Sequence, residues 1–193
     1  MLIERLVIKE EELCIGISEN TNINNLDTDD LLEIARSLST SVLAFQFFNS
    51  SMIVDKFHLL SSAQNAVNAM KGEYMISRSL DVELVVHSSA QRQIGLALDL
   101  MGVKDKLPSL GVVCIDSDEE KVRKCLIEVS KRVGEENTPM FSSTGKKLDS
   151  LMETFGITDL EIEQFTDATD LKSRTRALSK CIVSKVSMVS LGS

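Results

Sequence analysis

The chain has no tryptophan, one tyrosine, two prolines and two histidines in 193 residues. Two histidines, His58 and His87, leave few candidates for a histidine-based triad or a zinc centre. The motifs that usually carry chemistry are missing as well. There is no GxGxxG, GxSxG or HExxH, and Gly145-Lys146 is followed by Lys147 with Gly134 too far upstream, which fails the P-loop pattern G-x-x-x-x-G-K-S/T. The four cysteines (Cys14, Cys114, Cys125, Cys181) form no CxxC pair and lie in apolar surroundings, so they read as small buried hydrophobes of a reducing compartment. No run approaches the roughly 20 apolar residues of a membrane span. The opening MLIERLVIKEEELC has charges inside its apolar stretch and makes a poor signal peptide. These absences point to a cytoplasmic protein, also nuclear if eukaryotic, with no metal and no cofactor. With 29 acidic against 21 basic residues, the net charge of −8 repels phosphate on average and leaves only a local basic patch for nucleic acid.

What is present is ordinary globular material: 43% hydrophobic and 26% charged residues, in a length that suits one domain over 1–193. The apolar runs at 2–8 and 13–17 predict a hairpin or a bent strand. A polar, Asn-rich loop follows, then a helix capped by Thr28 with Leu31, Leu32, Ile34, Ala35 and Leu38. Val42 to Phe48 predicts a strand. Asp55 is a plausible cap for a helix with Phe57, Leu60, Ala63, Val67 and Met70 inward, stopped by Gly72. The alternation of Leu80, Val82, Leu84 and Val86 predicts a half-buried strand, and Ser88 or Ser89 would then cap a helix with Ile94, Ala97, Leu98 and Met101 inward. GVVCI (111–115) predicts a buried strand, and a helix from Asp116 or Ser117 shows Val122, Cys125, Leu126, Val129 and Val133. Residues 134–147 read as a surface loop. Leu148, Leu151, Met152 and Phe155 mark a further helix, Thr158 or Asp159 starts a short one, and 170–185 a longer one, with the stretch to Leu191 open between helix and closing strand. This order favours an α/β (α+β) single domain with a central mixed β-sheet flanked by helices and a helical C-terminal region.

Candidate functional residues are few. His87, at the end of the predicted strand, is either locally bonded or a catalytic group with Arg92 as anion clamp, the small-molecule enzyme reading. His58, in a first helical turn, reads as surface decoration. The acidic pairs at 11–12, 29–30, 119–120 and 135–136 are explained by helix dipoles and solubility. The polar stretch Ser88-Ser89-Ala90-Gln91-Arg92-Gln93-Ile94 would present free amides of a first helical turn beside a guanidinium, either an anion site or a routine cap; Lys56, Lys71 and Arg78 could add charge. The C-terminal helix has more apolar residues than one inward stripe requires, which predicts an exposed docking patch at Leu178, Ile182 and Val186.

One stretch resembles a known family. The apolar run ending Ile53-Val54-Asp55, the F-x-x-L-x-x-A-x-x-A helix from Phe57 to Ala66, the link Ile76 to Leu80, Val82 to Val86, the Ser-Ser-Ala-Gln-Arg-Gln-Ile turn and Met101-Gly102-Val103 are similar to the kinase-binding (PRPK-binding) subunits of the KEOPS (EKC) complex. The likeness is strongest over 40–133. It implies a non-catalytic subunit that binds and supports the small atypical kinase/ATPase of that complex, meeting the other subunits indirectly. It also implies help in recruiting tRNA by its 3′ CCA end for threonylcarbamoyladenosine formation next to the anticodon. The tRNA contacts would be Ser88, Ser89, Gln91, Arg92, Gln93, Lys56 and Arg78.

Overall fold

The computed structural model describes residues 1–8 and 11–191. Four strands, β1 (Leu2–Ile8), β2 (Glu11–Thr21), β3 (Ala44–Asn49) and β4 (Ser109–Asp116), form one sheet in the order β1-β2-β4-β3. Every neighbouring pair is antiparallel, with Ile15 opposite Ile115 and Ala44 opposite Ile115 at the centre. The fold is α+β as expected, but the sheet is antiparallel rather than mixed. The reason lies at 80–89, which is a helix and contributes no strand.

Both sheet faces are covered, which is why the strands read as nearly continuous apolar runs. Alternate residues serve opposite layers. Leu13, Ile15, Ile17, Phe48, Val113 and Ile115 join one buried cluster, while Cys14, Phe45, Phe47, Val112 and Cys114 join another. The second layer is closed by α1 (Thr28–Ser39) and α5 (Glu119–Arg132). Helix α5 lies so close to β2 that a Cβ on Gly16 would stand 2.5 Å from a Val122 methyl. The first layer is closed by α2 (Lys56–Lys71), α3 (Leu80–Ser89), α6 (Gly145–Phe155) and α8 (Leu171–Met188). Two shorter helices, α4 (Ile94–Met101) and α7 (Asp159–Glu163), complete the set described. All four cysteines are free and buried.

The caps follow the sequence with small shifts. Asp55 accepts from the Phe57 and His58 amides, and Asp170 and Thr158 cap α8 and α7. The cap of α1 is Asp27, in a reciprocal box with Asp30, while the Thr28 hydroxyl bonds Asp105 at 2.6 Å. Helix α5 is capped by Asp118, because Asp116 is occupied by the Leu43 and Asp118 amides. The 134–147 segment is an anchored strap rather than a free surface loop: the Thr21 amide donates to Glu135 O, the Asn137 amide to Glu19 O, and Phe141 is buried.

Candidate partner-binding corner

The predicted strand at Leu80 to Val86 lies within the ten-residue helix α3, the first half of a helical corner. Alternation misled because α3 is buried almost all round, and a helix without a wet face loses its 3.6-residue signature. The helical signal that was available is the i,i+4 pair Glu83 and His87, whose Oε1 and Nε2 stand 3.4 Å apart inside the protein. The Glu83 carboxylate also accepts the Ile76 and Ser77 amides at 3.1 and 2.8 Å. Burial pushes its pKa up, but the His87 ring beside it and the hydrogen bonds from Ser77 and Ile76 outweigh that and hold it at about 2. Glu83 thereby closes the link that enters α3.

Ser88 and Ser89 end α3 instead of starting a helix. Both are buried; Ser89 Oγ donates to Val86 O and accepts the Gln91 amide. Ala90 takes a left-handed conformation (φ 53°) and turns the chain. Gln91 is half-buried, and Arg92 and Gln93 are exposed. Gln93 is the N-cap of α4 without a side-chain cap bond. Arg92 Nη1 donates to Val189 O at 2.7 Å and ties the corner to the end of α8.

His58 is not surface decoration: it is fully buried, and its Nε2 stands 2.8 Å from Ser88 O. Burial lowers its pKa to about 4 despite that carbonyl and Asp55, which favour the charged form. The contact seats the first turn of α2 against the last turn of α3. In sequence, Lys56 and Phe57 adjoin that contact from α2, and Gln91 and Arg92 from the turn after α3. Arg78 does not: it precedes α3, about 15 Å of helix away from Ser89. Lys71 likewise ends α2 at the far side. His87 is sealed inside α3 while Arg92 is at the surface, so the two do not form the paired site of the enzyme reading.

The apolar surface also differs from expectation. Leu178, Ile182 and Val186 are all fully buried, on the face of α8 that meets α2, α3 and α6, so the docking patch expected from them is not exposed. Their i,i+4,i+8 spacing is a core stripe, and the helix continues through Met188 rather than turning into a strand. The exposed apolar residues are elsewhere. Helix α4 buries Ala97 and Met101 and leaves Ile94, Leu96 (51% exposed) and Leu98 outward. Met188 (59%) lies one residue before the carbonyl that holds Arg92. Phe57 (56%), assigned from sequence to the inward stripe, is exposed with Lys56 Nζ 5.2 Å from its ring centroid. The first turn of α2 buries His58 instead. The apolar spacing of α4 places Ile94 and Leu98 inward with Ala97 and Met101, but only Ala97 and Met101 are buried.

The exposed apolar side chains of α4, Met188 and Phe57 give this α+β sandwich a surface suited to binding partners. The comparisons agree in kind. Residues 16–190 match the family described as "Kinase binding protein CGI-121", and the chain belongs to that family. It is also 39% identical over 83 residues to the regulatory protein Cgi121 of Methanocaldococcus jannaschii. That stretch covers 42% of this chain and spans about half (51%) of the relative.

Proposed function

We propose that this protein is a non-catalytic KEOPS/EKC subunit that binds and supports the small atypical kinase/ATPase of that assembly. The observation that carries the reading is the family match over 16–190, whose description supplies the kind of partner. The surface best suited to the kinase is α4 with Met188. Ile94, Leu96 and Leu98 are exposed on one short helix that packs mainly on α3 and β3, and apolar side chains left out on a rigid element are the usual centre of a protein interface. Co-purification from the native cell, read by mass spectrometry, should recover a small kinase and a threonylcarbamoyl-transferase subunit. A purified kinase from the same cell that shows no binding in titration would overturn the reading.

The tRNA part of the proposal rests on Lys56, Phe57, Gln91, Arg92 and Gln93. An exposed ring with a cation beside it offers a stacking platform for an unpaired base, and Arg92 keeps donors free for phosphate beyond the one on Val189 O. Ser88 and Ser89 shape the turn from inside. Trimming the CCA end from tRNA should weaken binding about tenfold, and Phe57→Ala should weaken full-length tRNA by a similar factor. Equal binding of trimmed and full-length tRNA would contradict this part.

A further inference from the structure

The acidity of the chain is not spread evenly. Between Leu148 and Leu171 there are seven acidic residues and no basic one, so this stretch carries −7 of the net −8. It comprises most of α6, all of α7 and the link into α8. Two of the seven carboxylates are compensated by α8: Asp159 pairs with Arg174 at 2.7 Å and Glu161 with Lys185 at 4.0 Å. Asp170 caps α8 at the Ser173 amide, which does not cancel its charge. Asp149, Glu153, Glu163, Asp167 and Asp170 are exposed and have no cationic partner among the described residues.

Apolar side chains stand among these charges. Leu160 is 73% exposed, the highest of any large hydrophobic residue described, and Phe165 (47%) and Leu171 are exposed on the same segment. Their neighbour Ile162 is buried, so α7 is anchored by one side chain and presents the others. The Arg174 and Lys185 pairs, with Lys180 Nζ 5.2 Å from the Phe165 ring centroid, fix this segment along α8. The result is an apolar centre on a held scaffold, rimmed by seven carboxylates of which five have no ion pair among the described residues, although α8 behind it carries Lys172, Arg174, Arg176, Lys180 and Lys185. Such a rim repels phosphate and favours a cationic partner, while the apolar centre rewards a partner with side chains to bury.

We propose that the α6–α7 face is a second docking surface, and that its occupant is a Lys/Arg-rich protein segment carrying apolar anchors. Leu160 and Phe165 take the anchors, and Glu163, Asp167, Asp170, Asp149 and Glu153 face the cations. This surface is independent of the kinase assignment of α4, so either can fail alone.

Two labelled probe peptides test it by fluorescence anisotropy on the full chain: an amphipathic Lys/Leu peptide, and the same peptide with each leucine replaced by serine. The wild-type protein should bind the leucine form about tenfold tighter. Leu160→Ser with Phe165→Ser should erase that preference, and Glu163→Lys with Asp167→Lys should weaken both peptides. All four positions are exposed, and thermal unfolding of each variant should match wild type. Leu96→Ser with Leu98→Ser should leave the preference intact. A wild-type preference below about twofold, or one lost with the α4 variant and kept in the α7 variant, overturns the proposal. A peptide-free dimer that becomes monomeric in the α7 variant also overturns it, since the occupant is then a second copy of this chain.

Discussion

The turn that precedes α4 is tied to the end of α8 by the Arg92 bond to Val189 O, yet the two helices present their apolar residues in opposite ways. Helix α8 is enclosed by α2, α3, α6 and α7, so Leu178, Ile182 and Val186 are core. Helix α4 packs mainly on α3 and the β3 edge strand, and Ile94, Leu96 and Leu98 are exposed. Apolar content does not mark a docking face; what surrounds the helix does. Sequence shows the content and not the surroundings, and for that reason the apolar residues expected at the surface on α8 are buried while those of α4 are exposed.

The comparison can be broken most violently from the α8 side. Ile182→Asp places an unpaired carboxylate in a sealed core, and we expect it to prevent folding or cost several kcal/mol, measured by urea unfolding. The milder Leu178→Ala should cost about 2–5 kcal/mol in the same assay. If either variant unfolds with the wild-type midpoint, the assignment of α8 to the core is wrong.

A pH series probes the seam between α2 and the corner. The folded His58 titrates at about 4 against an ordinary 6.5, so folding favours the neutral ring. Its contribution is complete above pH 6.5 and declines as pH falls from 6.5 towards 4. Glu83, held at about 2 against 4.5, adds stability that is present above pH 4.5 and is lost between 4.5 and 2. Urea midpoints should therefore fall in two successive windows, and His58→Asn should flatten only the upper one. A His58→Asn protein with an unchanged upper slope would show that the ring is not the titrating group. The smallest effect belongs to the link itself. Arg92→Gln should lower stability by about 1 kcal/mol and speed amide exchange in the turn at 189–191, read by hydrogen-exchange mass spectrometry.

Much of the fold was legible in the sequence wherever one face of an element is wet. The stripes of α5 and α6, the strands at 44–49 and 109–116, and the caps Asp55, Thr158 and Asp170 all carry local signals that survive packing. The failures share a cause in burial without polarity contrast. Helix α3 is sealed on nearly every side, so Leu80, Val82, Leu84 and Val86 imitate a strand. Helix α2 turns Ala63 and Val67 inward and packs Leu60 and Met70 against the core as expected, but its first turn buries His58 instead of Phe57, and a polar side chain gives no sign of that. The stretch Ser88 to Gln93 does hold a helix start, but its cap is Gln93, four or five residues later than expected, and both serines are buried at the end of α3. Charge segregation between the 148–171 stretch and the rest was visible in composition, whereas the exposure of Leu160 needed the structure.

The claim that α4 is the docking face is tested most directly by titrating the purified kinase with wild-type protein and with Leu96→Asp/Leu98→Asp. Both side chains are exposed, so the variant should keep its urea midpoint to within about 0.5 kcal/mol. Its affinity should fall by about tenfold or more. A variant that keeps its fold and binds the kinase as wild type does would contradict the account.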